Sequence, residues 1–172
     1  MKTIIFEGEL NNENVQKLVD DIQQPYEDEP ETSIVLYFSS EGGYLHCGNI
    51  LIDVINSLPE HYNLKMVFFW KVFSCAFDVF VKAKCKKEAY MGSVGLVHLM
   101  NRDVGVLGVV NDKDSLDRFL VDELNDSNEV YLKWLSSLPK MFSSKEVKKI
   151  SHGQDVYITA ERLEQFLKRQ KK

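Results

Sequence analysis

A serine that opens a helix after a buried strand, and a histidine on a following strand, make up two-thirds of a hydrolase. The stretch Met66–His98 supplies both. Ser74 follows the apolar run Met66–Trp70 and precedes Cys75, Ala76, Val79, Phe80 and Ala83 at helical spacing, which puts its hydroxyl at or just before a helix N-terminus. His98 sits in a second apolar run, Val94–Met100. A hydroxyl becomes a useful nucleophile when an adjacent base takes its proton, and imidazole is the side chain best matched to that task near neutral pH. An orienting carboxylate is offered by Asp155, in the turn His152-Gly153-Gln154-Asp155. Gly42-Gly43, directly after a strand, turns the backbone sharply and presents an amide with no side chain in the way. Together with an amide at the start of the Ser74 helix, such a group stabilises an oxyanion.

Taken singly, each of these residues has a plainer role. Ser74 is an N-cap, His98 a hydrogen-bonded histidine in a half-buried strand, Asp155 a turn carboxylate, and Gly42-Gly43 a tight strand-to-helix turn. Their joint placement raises the other reading, because nucleophile, base and orienter can come from separate elements that converge at one rim of a layered sheet.

The elements that must position them alternate between strand and helix. Thr3–Phe6 reads as a strand, Asn11–Ile22 as a helix with Asn12 as N-cap, and Gln24–Thr32 as an acidic, proline-containing loop. Ser33–Phe38, the glycine turn, and the helical pattern of Ile50, Leu51, Val54 and Ile55 form the first half of a βαβ unit, which Pro59 closes. Leu64–Trp70 is almost wholly apolar, as a strand buried on both faces should be. Two short strands follow the Ser74 helix, at Ala89–Tyr90 and Val94–Met100, and Val104–Val110 is a strand or a flexible lid. Ser115–Leu138 is helical, Ser143-Ser144-Lys145-Glu146 is a capping box for a helix to Ile150, and Val156–Ile158 is a strand before a last helix opened by Thr159. No repeat or linker divides the chain, so 172 residues read as one α/β layered domain spanning residues 1–172.

Composition narrows the function classes. A net charge of -5 and a pI near 5.4 exclude the basic face that nucleic acid requires. The basic runs Lys82–Lys87 and Lys168–Lys172 read as solvated helix ends, where lysine complements the carboxyl-end dipole. Cys47, Cys75 and Cys85 lack metal-ligand spacing and read as reduced thiols. Met66–Trp70 is far too short to span a bilayer, and the chain does not open on a signal peptide, so a cytoplasmic location is expected.

Several of these segments, in order, resemble the proteolytic subunit of the Clp protease. Tyr37-Phe38-Ser39-Ser40-Glu41-Gly42-Gly43 is similar to that family's serine-proline-glycine-glycine turn, and Gly48 with Ile50-Leu51-Ile52-Asp53 to its following helix. Ser74 falls in the register of the family's nucleophile, Val97-His98 resembles the step carrying its histidine, and Asp155-Val156-Tyr157-Ile158-Thr159-Ala160-Glu161 resembles the segment carrying its aspartate. The resemblance implies an α/β fold of the ClpP/crotonase kind, with layered ββα-type units and a protruding helical handle at Ser115–Leu138. It implies a Ser74-His98-Asp155 triad, an oxyanion hole from the backbone amides of Gly43 and Cys75, and no metal or cofactor. Peptides or unfolded proteins would be the substrates, within a homo-oligomeric ring.

The sequence departs from the family at Trp70-Lys71-Val72-Phe73, where the family has glycine and alanines, and at Met91-Gly92-Ser93, where it has proline-asparagine. It also opens at its first strand, without the family's pore-lining segment, and ends in a lysine-rich helix, so an ATPase partner is not expected. Lys71 and Phe73 motivate a second reading, a non-catalytic ring or scaffold subunit. An acyl-CoA enzyme of the same broad fold is a third, but it lacks an evident basic patch for the nucleotide.

Overall fold

The computed structural model describes residues 1–24, 32–59, 61–100, 113–138 and 140–170. The elements run β1 (Lys2–Glu7), α1 (Asn12–Gln23), β2 (Thr32–Ser40), α2 (Leu45–Ser57), β3 (Tyr62–Phe73), α3 (Cys75–Lys82), β4 (Lys86–Ala89), β5 (Val94–Val97), α4 (Lys113–Ser137), α5 (Ser144–Ser151), β6 (Val156–Thr159) and α6 (Ala160–Gln170). Among the described residues six strands form one sheet in the order β1-β2-β3-β5-β6, with β4 also paired to β3. The chain packs as two compact units, Met1–Val97 with Tyr157–Lys172, and His98–Val156. Among the described residues no helix is long and apolar enough to cross a membrane.

In the first unit every third or fourth residue of α1 is apolar, and Val15, Leu18, Val19 and Ile22 form its buried stripe. Its N-cap is Asn11, not the expected Asn12. Asn11 has the extended backbone a cap needs, and its side chain accepts the N–H of Asn14, whereas Asn12 turns its carbonyl toward His46 and Cys47. The strands β1 and β2 alternate, with Ile4, Phe6, Ile34, Leu36 and Phe38 buried and Ile5 and Tyr37 on the outer face. The expectation of a strand buried on both faces holds for β3 only at Met66, Val67 and Phe68, and the strand runs three residues further than the apolar run suggested.

Those three residues matter because β3 is forked. Residues 65–68 pair in parallel with β4, and residues 71–73 with β5. On its other edge β3 follows β2 in register to Phe38↔Phe68 and resumes at Ser40↔Val72, so β3 carries two extra residues at the fork. Trp70 takes up the irregularity with φ 61°. The short strand expected at Ala89–Tyr90 begins instead at Lys86, so only part of the lysine run closes α3. Lys87 still serves that helix, donating to the carbonyls of Phe80 and Val81 at its carboxyl end. β5 stops at Val97, short of the expected Met100.

A chain of aromatic rings runs through the largely aliphatic core. Phe38 meets Phe68 edge-on at 5.6 Å, Phe68 meets Phe80 at 4.8 Å, and Phe80 meets Phe166 of α6 at 6.1 Å. Phe77 and Phe80 thereby pin α3 to the sheet, one helical turn from Ser74.

The second unit contains α4 and α5. The capping box at Ser143 is present, with Ser143 and Glu146 exchanging side-chain and backbone hydrogen bonds. Asn128 on α4 brackets the backbone of Met100, accepting its N–H at 2.9 Å and donating to its carbonyl at 3.3 Å. The segment Val104–Val110, expected as strand or lid, lies outside the described residues.

Phe80→Ala removes the ring on which Phe68, Phe77 and Phe166 all rest. It is expected to cost about 3–5 kcal/mol of unfolding free energy, measured by urea denaturation.

Candidate active site

Ser74 is the hinge between β3 and α3. Its N–H donates to Leu96 of β5 at 2.9 Å, and its carbonyl accepts the N–H of Phe77 at 2.9 Å. Strand pairing on one side and helix closure on the other leave the residue itself at φ 53°, ψ -130°. A side chain in that region costs about 1–3 kcal/mol and persists only where the surroundings over-determine it. The hydroxyl makes no capping hydrogen bond to α3, so the plain N-cap role does not account for this serine. Ser74 is half-buried, on a strained strand-to-helix turn.

The glycine turn lies directly against it. A Cβ on Gly42 would fall 2.7 Å from Ser74 Cβ and 2.8 Å from the carbonyl oxygen of Phe73, and φ is +95°. Gly43 is equally confined, since a Cβ there would lie 2.5 Å from the carbonyl oxygen of Leu10. Leu10 and Gly43 form a parallel bridge in which Leu10 N–H donates to Gly42 and Tyr44 N–H donates to Leu10. Because successive amides alternate in direction, that bridge leaves the N–H of Gly43 turned away from Leu10. The N–H of Gly42 is held at 3.0 Å by the buried hydroxyl of Ser40. On the facing element, the N–H of Cys75 belongs to the first turn of α3, where amides have no intrahelical acceptor.

Cys75 is packed. Its Sγ donates to the carbonyl of Gly43 at 3.5 Å, and burial, reinforced by Asp78, pushes the thiol up to about 12. The side chain is therefore a protonated tie between α3 and the glycine turn, not a nucleophile. Ser74, Gly43 and Cys75 are thus brought together within the first unit.

His98 and Asp155 belong to the second unit. His98 is half-buried, one residue beyond the end of β5, and its Nδ1 lies 2.5 Å from the carbonyl oxygen of Leu99. A carbonyl only accepts, so Nδ1 carries a proton, and in the neutral ring Nε2 then has the lone pair a base requires. Asp155 is exposed in the turn between α5 and β6.

Sequence reasoning missed three features next to the turn. The first is the fork of β3 at Trp70, for which only the length of the β3 segment was a signal. The second is Ser40, whose neighbours in Ser-Ser-Glu-Gly-Gly already marked a turn that a hydroxyl can brace. The third is a cluster at the start of α2, where Asn12 Oδ1 lies 2.8 Å from His46 Nε2 and 3.2 Å from Cys47 Sγ. Burial, reinforced by Glu9, raises the Cys47 thiol, which suits it to donating to Asn12 rather than to attack. Among the described residues no group of three or more His, Cys, Asp or Glu side chains converges to hold a metal ion.

The chain is similar in structure to a point mutant of ClpP1 from Listeria monocytogenes, with a TM-score of 0.69 and 14% identity over 96% of this chain and 86% of that one. The mixed α/β fold is therefore ClpP-like. No family model and no curated protein sequence matches the chain.

Gly42→Ala drives a methyl group into Ser74 and forces φ +95° on a residue with a Cβ, so it is expected to cost at least about 1–3 kcal/mol, read as a lowered thermal midpoint. Thiolate is the reactive form of cysteine. Iodoacetamide at mildly alkaline pH is therefore expected to modify Cys75 at least about 100-fold more slowly in the folded protein than after unfolding, measured by mass spectrometry.

Proposed function

We propose that this ClpP-like chain is a serine peptidase that cleaves peptides or unfolded proteins inside a cytoplasmic homo-oligomeric ring. The observation that carries this reading is the backbone of Ser74, a non-glycine residue at positive φ between strand and helix, with its hydroxyl left unused by the helix it opens. A merely structural serine there would adopt an extended backbone and cap the first turn.

In the proposed reaction Ser74 Oγ attacks the peptide carbonyl carbon while His98 Nε2 takes the hydroxyl proton. The carbonyl oxygen becomes an oxyanion, held by the amides of Gly43 and Cys75. His98 returns the proton to the departing amine as the C–N bond breaks, leaving an acyl-serine. Water then repeats the sequence and releases the acid. Asp155 holds Nδ1–H and stabilises the imidazolium, which requires that the proton now given to Leu99 be turned toward the carboxylate. Metal and cofactor have no part in these steps.

The second reading is a ring subunit that has kept the architecture without turnover. The pairing of His98 Nδ1 with Leu99 and the exposure of Asp155 favour it.

A fluorophosphonate probe separates the two. In the peptidase reading it labels Ser74 in the assembled protein, and Ser74→Ala and His98→Ala each lower peptide hydrolysis by at least about 1,000-fold. An assembled, folded ring that neither labels nor hydrolyses small peptide esters is the scaffold.

A further inference from the structure

The geometry points to Lys71 and Glu41 as positioning residues that hold the oxyanion turn against the nucleophile; this rests on the reading of Ser74 as that nucleophile. Lys71 is one of the residues by which the sequence departs from the Clp family. It lies three residues before Ser74, just past Trp70, where β3 leaves β4 and joins β5. Glu41 sits at the tip of the turn between Ser40 and Gly42. The Lys71 ammonium and the Glu41 carboxylate form an ion pair, and the ammonium lies 4.9 Å from the centre of the Trp70 ring.

The turn needs such a tie. Gly42 and Gly43 both have positive φ, and because neither has a Cβ the unrestrained segment has more backbone freedom than any other pair of residues would. Hydrogen bonds to Leu10 fix one side of it, and the hydroxyl of Ser40 fixes the N–H of Gly42. Those contacts tie the turn to the β1–α1 connection and to itself. The ion pair ties it to the strand that carries Ser74. Buried Ser39 completes the bracket, because its hydroxyl accepts the N–H of Lys71 at 3.3 Å across the extra residues of the fork. The ion pair and the two neighbouring serines thus act on the strand side of Ser74, while the thiol of Cys75, on the carbonyl of Gly43, acts on the helix side.

An ion pair this open to water, with the Glu41 side chain 68% exposed, adds little to global stability. Its effect should appear in turnover, because oxyanion stabilisation depends on donor placement and loss of one donor costs about 100- to 1,000-fold. Loosening a donor without removing it is a smaller loss.

The test is steady-state hydrolysis of a peptide substrate by Lys71→Met, Glu41→Gln and the charge-reversed pair Lys71→Glu with Glu41→Lys, with Ser74→Ala as the blank. Each single variant is expected to lower kcat about tenfold with KM within about twofold of the parent and the thermal midpoint unchanged, while the reversed pair recovers most of the loss. High salt should lower kcat of the parent and leave Lys71→Met unaffected. An active parent whose kcat survives both single substitutions overturns the positioning role alone, as does a reversed pair no better than the singles. A parent that neither hydrolyses peptide nor takes up fluorophosphonate overturns the peptidase reading and this role with it.

Discussion

Ser74 stands on a backbone conformation, φ 53° and ψ -130°, that only its neighbours can hold in place. Its N–H is claimed by Leu96 of β5, and its carbonyl by the first closed turn of α3. Neither tie can relax independently. Releasing the first would unpair β3 from β5 at the fork, and releasing the second would lift Phe77 and Phe80 out of the aromatic core. A strain of about 1–3 kcal/mol is small against the apolar surface those rings bury, which is how a marginal local conformation survives in a stable fold.

The fork of β3 is the geometric cause. A regular strand between β2 and a single neighbour would continue its pairing past Phe68 and deliver the chain end flush with β2. Two extra residues at Phe69 and Trp70 shift the last three residues of β3 onto a new partner, and the chain arrives at Ser74 beside the turn that follows β2. The consequence is mutual constraint. Ser74 occupies the space a Cβ at residue 42 would need, and Gly42 in turn leaves the hydroxyl of Ser74 room at 3.3 Å from that position. Glycine at 42 is thus dictated by the nucleophile candidate as much as by the turn.

Periodicity made most of the fold legible. The α1 stripe, the alternation in β1 and β2, the aromatic strand before Ser74 and the Ser143 capping box all follow from patterns of a few residues, and local patterns are what sequence carries most directly. The misreadings share a cause. Asn12 reads as the cap from sequence because two asparagines in succession are equivalent until one finds a tertiary partner, here His46 and Cys47. Lys86 and Lys87 read from sequence as a helix end, yet their backbones open β4 by pairing with Lys65 and Met66, residues distant in sequence. The same limit applies to the site. Ser74 and the two glycines were identifiable by type, but their strain and close contact depend on a register shift that no local pattern announces.

In the proposed reaction His98 is the base, and part of its preparation needs no carboxylate. An imidazole must present Nε2 unprotonated to accept a hydroxyl proton, and a hydrogen bond from Nδ1 to any acceptor selects that tautomer. The carbonyl of Leu99 already does so. What a carbonyl does not supply is the negative charge that stabilises the imidazolium once the proton has been taken. The Nδ1 proton is therefore placed locally, by the residue next in sequence, and in the proposed reaction the charge would have to come from Asp155.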